Sequence, residues 1–215
     1  MKFIQQSISQ LKSLLPIIAL SVTPVVALLL CTAIIAVRAD IPPEHFTRDP
    51  AAIFNGHPFT GVISNIGILL WCSTLAVCLF SSTIIYKLKN SETAFFLLFS
   101  GLFTAFLLFD DLLMLHESIF PKYLHIPEKL VYVGYLMGIT LYFIRFTKVI
   151  LRTEYMLLLT ACFFFSFSIG FDMILPQSGW EYFLEDGLKL IGIFVWFLYF
   201  IRTCFIQFKL FTQTS

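Results

Sequence analysis

The fold is decided by residues 93–115, which read TAFFLLFSGLFTAFLLFDDLLML. Apolar side chains fill this stretch up to Asp110 and Asp111, and a helix of this length can cross the hydrocarbon core of a bilayer. A lipid-exposed backbone must satisfy its own hydrogen bonds, which a helix does within one segment. The stretch therefore predicts a transmembrane α-helix that ends in a pair of carboxylates.

Similar apolar blocks recur along the chain. Hydrophobic residues make up 59% of the sequence, charged residues only 13%, and the mean hydropathy is +0.89. The predicted spans cover about 14–37, 62–86, 93–115, 130–147, 154–175 and 182–206. We therefore predict an all-α membrane protein in which residues 1–215 form a single domain, a bundle of six transmembrane helices.

The basic residues between the spans predict the orientation. If both termini face the cytoplasm, nine basic residues lie on the cytoplasmic side and four on the outer side. The nine are Lys2, Lys12, Lys87, Lys89, Arg145, Lys148, Arg152, Arg202 and Lys209, and the four are Arg38, Arg48, Lys122 and Lys129. The positive-inside rule favours this arrangement. A net charge of +1 without a long basic run gives no reason to expect a nucleic-acid partner, so the expected partners are membrane lipids.

Acidic residues collect near the predicted outer ends of three spans. They are Asp110, Asp111 and Glu117 in the third, Asp172 in the fifth, and Glu185 and Asp186 in the sixth. An acid within hydrocarbon costs about 2.5–3.5 kcal/mol, so a cluster of acids needs compensating partners. If the third helix continues past its apolar stretch, Asp110 and Glu117 lie on one face, with Asp111 turned by about 100°. These positions predict one acidic site near the outer membrane face.

The first interpretation of this site is a divalent metal centre, since carboxylates and imidazole are ligands of iron, manganese and zinc. The predicted ligands are Asp110, His116, Glu117, Asp172 and Glu185. In an enzyme of this kind, Asp111 or Asp186 would act as general base, and Lys189 would polarise or orient a lipid-soluble substrate. No complete metalloenzyme motif accompanies these residues, so the sequence does not decide whether the protein is an enzyme.

Two other interpretations stay open. Buried acids grouped with a lysine also occur in proton-coupled or cation-coupled transporters and in ligand-binding membrane proteins, and a charged network can also serve structure or assembly alone. Whichever applies, Lys189 should pair with Glu185 or Asp186 on its own helix. It should also touch Asp110 or Asp172 across the helix interface.

Small and aromatic residues inside the spans predict packing. The pairs Gly101 with Ala105 and Gly134 with Gly138, and the series Cys162, Ser166 and Gly170, have the four-residue spacing that lets helices approach closely. The 26 phenylalanines are best interpreted as core and lipid-facing bulk. A pocket for a quinone or lipid is the alternative.

Three segments carry a resemblance to a known kind of protein. They are residues 109–117, FDDLLMLHE; 125–129, HIPEK; and 184–192, LEDGLKLIG. Over residues 93–206 the chain resembles uncharacterised bacterial multi-span membrane proteins, which implies the inner membrane of a bacterium and no established activity. It also invites comparison with membrane hydrolases of the alkaline ceramidase and adiponectin-receptor type. Their paired histidines on the last helix are missing here, so that zinc site is not carried over.

Overall fold

The computed structural model of the protein describes residues 2–174 and 179–214, and within them the regular structure is entirely helical. The α-helices are α1 (Lys2–Ala39), α2 (Pro50–Ile53), α3 (Val62–Lys87), α4 (Ser91–Leu113), α5 (Phe120–Tyr123), α6 (Glu128–Ile150), α7 (Tyr155–Ile174) and α8 (Gly179–Thr214). A 3₁₀ turn, Pro43–Phe46, precedes α2, and a π-helical turn, Leu115–Ile119, separates α4 from α5. The prediction of an all-α fold is confirmed.

Six stretches of these helices are long and apolar enough to cross a membrane. They are Leu14–Ala39, Val62–Lys87, Ser91–Leu113, Lys129–Ile150, Tyr155–Asp172 and Tyr182–Leu210. Each agrees with a predicted span to within a few residues, so the prediction of a six-span, multi-pass membrane protein is confirmed. The predicted turn between the last two spans includes residues 175–178, which lie outside the described residues.

The chain divides into two compact units, Met1–Thr60 and Gly61–Ser215. The first unit holds α1 and the short elements that follow it. The apolar side chains of α1, such as Leu20 and Val37, are exposed, as expected for a helix in contact with lipid. At the start of α2 the Asp49 carboxylate accepts a hydrogen bond of 2.7 Å from the backbone N–H of Ala51. That one domain covers residues 1–215 stays a prediction.

In the second unit α3, α4 and α8 pack together, α7 packs against α8, and α6 lies against α4. Aromatic rings fill the centre. Trp71 and Trp196 lie with their rings 6.2 Å apart, and Phe96 and Phe200 with theirs 6.1 Å apart. Because lipid is as apolar as these side chains, the helices associate through close packing rather than through an escape from water.

The glycines identify which helix faces are packed closely. A Cβ added at Gly101 would lie 3.2 Å from the Cβ of Cys78 on α3, while a Cβ at Gly134 or Gly170 would meet nothing within 4 Å. The predicted packing role is therefore confirmed for Gly101. For Gly134 and Gly170 it is wrong, because no described part of another helix comes within 4 Å of a Cβ at these positions.

A bulky side chain at Gly192 should destabilise the bundle. A Cβ there would lie 2.7 Å from the ring of Phe165 and 3.3 Å from the carbonyl oxygen of Ala161. We expect Gly192→Leu to lower the free energy of unfolding by about 1–3 kcal/mol through overpacking. Gly170→Leu is the matched control and should leave stability nearly unchanged. The check is an unfolding titration of both variants in mixed detergent, and equal stabilities would contradict the observed packing.

Two hydrogen bonds between buried side chains of the second unit join α4 to its neighbours. The hydroxyls of Ser100 and Tyr142 are 2.7 Å apart, joining α4 to α6, and the indole N–H of Trp196 donates to the Thr104 hydroxyl at 3.1 Å. These contacts satisfy buried polar groups where no water is available. They also fix the rotation of α4, whose last turn carries Asp110 and Asp111.

Candidate functional site

The site begins where α4 ends. Met114, the residue after the helix, has φ 49° and ψ 48°, a left-handed conformation that costs a side-chain-bearing residue roughly 1–2 kcal/mol. Its backbone N–H still donates to the carbonyl of Asp110. The π-helical turn Leu115–Ile119 follows. A single helix continuing to Glu117 was therefore a wrong prediction, and nothing in the local sequence, such as a glycine, indicates the break.

The π-helical turn places His116 against the last turn of α4. The backbone N–H of His116 donates to one carboxylate oxygen of Asp110 at 3.1 Å, and its Nδ1 lies 2.7 Å from the other. Both residues are buried, at 5% and 8% exposure. With both carboxylate oxygens engaged, Asp110 fixes the orientation of the imidazole ring. A ring that donates from Nδ1 keeps Nε2 for exchange of a proton.

The surroundings of His116 favour its charged form. Burial by itself lowers the pKa of the imidazole, but the hydrogen bond to Asp110 and the charges of Asp110 and Glu117 outweigh burial. The net effect raises the pKa of His116 above its ordinary value. Nε2 lies 3.5 Å from a carboxylate oxygen of Glu117, which is exposed at the edge of the site.

Two tyrosines of α6 complete this side of the site. The rings of Tyr132 and Tyr135 lie 5.6 and 6.2 Å from the His116 ring. The Tyr132 hydroxyl donates to Asp172 of α7 at 2.9 Å, while the Tyr135 hydroxyl is buried next to Asp110 without the geometry of a hydrogen bond. Our sequence reasoning missed both residues. Their spacing of three on a predicted helix, at the depth of the acids, is the signal that could have identified them.

Asp111 points to the opposite side of α4. One of its carboxylate oxygens lies 2.5 Å from Nζ of Lys189 on α8, and the two side chains are 10% and 29% exposed. Asp186, Ser64 and Gly67 line a small polar cleft beside this pair. Lys189 does contact a carboxylate across the helix interface, as we predicted.

The identity of the partner was predicted wrongly. Among the described residues, none of the proposed partners Glu185, Asp186, Asp110 and Asp172 lies within ion-pair distance of Lys189. The reason is the rotation of α4, which turns Asp110 towards His116 and leaves Asp111 to face α8.

The remaining acids are spread around the rim. Asp186 and Glu117 are exposed, and Asp172 pairs with Tyr132. Glu185 is half-buried and is repelled by the nearby carboxylates of Asp172, Asp186 and Glu117. Over residues 2–174 and 179–214, no three acidic, histidine or cysteine side chains are arranged to hold a metal ion. Metal binding by Asp110, His116, Glu117, Asp172 and Glu185 stays a prediction.

An apolar groove of about 540 Å³ lies between α4 and α6 and reaches the site at Tyr135. Its walls include Phe103 and Phe106 of α4, Phe120 of α5 and Leu130 of α6. Gly134 and Gly138 also line it, and a side chain at either position would take up part of this space.

Comparison with known proteins identifies a family whose description names no activity. The model of one family, described as "Domain of unknown function (DUF8692)", matches residues 18–203. No curated protein and no solved structure matches the chain. The matched region includes Asp110, His116, Asp111 and Lys189.

Proposed function

We propose that this chain, which belongs to the DUF8692 family, is a membrane-embedded enzyme that uses Asp110 and His116 for general acid–base chemistry on a lipid-soluble substrate. The observation that carries the proposal is the two-point contact of the Asp110 carboxylate with the backbone N–H and Nδ1 of His116. A histidine whose second nitrogen is fixed by a carboxylate is oriented for proton transfer through the other nitrogen.

The proposed roles follow from these contacts. Asp110 positions the imidazole and stabilises its charged form, and His116 exchanges a proton with the substrate through Nε2. Tyr135 supplies a hydroxyl that can donate to an oxygen of the substrate. Asp111 and Lys189 neutralise each other, so we assign them the role of positioning α4 against α8 rather than the general-base and substrate-orienting roles expected from sequence.

The nature of the substrate follows from the surroundings of the site. The groove that reaches Tyr135 is lined by phenylalanine, leucine and glycine, and it lies on helices that are long and apolar enough to cross a membrane. A charged molecule loses its hydration in such a groove without finding a compensating partner. We therefore propose a neutral substrate that reaches the site from the lipid.

A lipid profile tests the proposed activity. Protein purified in mild detergent is incubated with a total lipid extract of bacterial membranes, and the extract is compared before and after by mass spectrometry. We expect the wild-type protein to convert at least one species, which His116→Gln leaves unchanged. His125→Gln, which alters an exposed histidine, is the matched control and should convert it like the wild type. Conversion by none of the proteins, or equally by all, would refute the proposal.

Orientation in the membrane is a separate prediction. We propose an inner-membrane location in a bacterium with both termini in the cytoplasm, which rests on the nine basic residues against four. Reporter fusions after residues 90, 150 and 215 should then score as cytoplasmic, and fusions after residues 50, 123 and 178 as external. The reverse pattern would place Asp110 and His116 near the cytoplasmic face.

A second candidate function is cation binding at the rim. It is favoured by the repulsion of Glu185 by Asp172, Asp186 and Glu117, which a bound cation would relieve. This candidate accommodates both a metal-dependent enzyme and a cation-coupled transporter. Elemental analysis of protein purified in mild detergent distinguishes it from the metal-free proposal. A stoichiometric metal that is lost in Glu185→Gln would support cation binding, and a metal content at background would reject it.

A further inference from the structure

We infer that the groove between α4 and α6 binds a neutral, membrane-soluble molecule with a flat carbonyl-bearing ring, a quinone in chemical class. This inference names the substrate class of the proposed enzyme. It rests on the proposed function where it places the quinone beside Asp110 and His116. Binding itself can be tested without turnover.

The shape of the groove supports a ring. Its volume of about 540 Å³ falls within the range of small-molecule sites, which is roughly 300–1,000 Å³. Phe103, Phe106, Phe120 and Tyr135 all contribute aromatic rings to its lining. The ring of Phe106 meets that of Tyr135 edge to face at 5.6 Å. Aromatic faces and edges of this kind are suited to stacking on a flat ligand.

The polar groups near the groove select a neutral head with a hydrogen-bond acceptor. Among the described residues the Tyr135 hydroxyl, buried beside Asp110, makes no contact with the geometry of a hydrogen bond, so a carbonyl oxygen would give this donor a well-aligned acceptor. An anionic head would have to be buried among the apolar side chains of the lining, where the imidazole of His116 is already engaged by Asp110. A cationic head would have to be buried among apolar side chains, where Asp110 is already engaged by His116.

Glycine creates the space that the ring would occupy. A Cβ at Gly134 meets no atom within 4 Å, and a Cβ at Gly138 meets only the ring edge of Phe103, at 3.7 Å. Neither position is needed for close helix packing. A larger side chain at either position would therefore enter the groove without disturbing the bundle.

Binding of a decyl-substituted benzoquinone to the purified full-length protein tests this inference. Quenching of tryptophan fluorescence reports the binding, because Trp196 lies next to Phe103 of the groove, with the two rings 6.2 Å apart. We expect saturable binding by the wild-type protein and a loss of at least about tenfold in affinity for Gly134→Leu, since the leucine fills the site. Gly170→Leu, at a glycine of α7 outside the groove where a Cβ would meet nothing within 4 Å, is the matched control and should bind like the wild type.

Two further arms make the chemistry specific. Tyr135→Phe should weaken binding by about threefold to tenfold, the effect of one hydrogen bond. Decanol, which has an alkyl chain but no ring, should fail to displace the quinone even at about a tenfold excess. Displacement by decanol would assign the groove to an acyl chain and overturn the inference, as would wild-type affinity in Gly134→Leu. If Gly134→Leu is unstable, Gly138→Leu takes its place with the same expectations.

The outcomes separate this inference from the proposed function. Quinone binding and lipid conversion are measured separately on the wild-type protein and on His125→Gln, which alters an exposed histidine outside the groove. Binding by both proteins without any conversion of lipids would leave the inference standing and refute the proposed enzyme. Conversion of a lipid without saturable quinone binding would support the proposed enzyme and overturn the inference of a quinone site.

Discussion

Asp111→Leu should lower the free energy of unfolding by about 3 kcal/mol, the lower end of the range for breaking a buried ion pair. The change leaves the Lys189 ammonium without its carboxylate, which lies 2.5 Å away in the wild type. The lower end applies because the Lys189 side chain keeps 29% exposure. An unfolding titration in mixed detergent measures the effect.

Two further variants make this result specific to the pair. Asp186→Leu removes a neighbouring but exposed carboxylate and should change stability by no more than about 0.5 kcal/mol. The double variant Asp111→Leu with Lys189→Met should recover most of the lost stability, because a buried ion pair can often be replaced by apolar side chains at little cost. Equal losses in Asp111→Leu and Asp186→Leu would contradict the ion pair with Lys189.

His116→Gln should reduce the lipid conversion described above by about 100-fold to 10,000-fold, the contribution typical of a general acid or base. Asp110→Asn should reduce it as well, because the imidazole loses the group that orients it. Both variants should remain folded, since each replacement is close in size to the original. Initial rates measured by mass spectrometry check the prediction, and full activity in either variant would remove Asp110 and His116 from the mechanism.

The same pair predicts how stability depends on pH. The pKa of His116 is raised in the folded protein above its ordinary value, which is about 6.5, so the ion pair contributes its full stability below that pH. The contribution is lost as the pH rises through the raised pKa. Asp110→Asn should lower the pKa of His116 and remove this part of the pH dependence. Imidazole NMR titration of the wild type and the variant, assigned with His116→Gln, provides the measurement.

The two consecutive acids at the end of α4 explain why the site joins several helices. Neighbouring residues on a helix point about 100° apart, so Asp110 and Asp111 cannot face the same partner. Asp110 turns towards His116 and the tyrosines of α6, and Asp111 turns towards Lys189 of α8. A change at either acid should therefore affect a different interface, one beside the reactive histidine and one within the packed bundle.

Much of the fold could be predicted from the sequence because transmembrane spans depend on local properties. An apolar stretch such as 93–115 must form a helix in lipid whatever its neighbours are, and its length fixes how far it reaches. The depth of Asp110, Asp111 and Lys189 follows by counting residues along those helices. Apolar content does not reveal which helix face is packed, however. That is why Gly101 was assigned correctly to a packed face and Gly134 was not.

By itself, then, the sequence determined six membrane-spanning helices and a collection of acids towards one end of three of them. Only the tertiary structure decided that α4 ends before Met114, that His116 contacts Asp110, and that Lys189 pairs with Asp111. The physical reason is that hydrophobic length is a property of each segment alone. The rotation of a helix and the partner of a charge depend on all the helices packed around them.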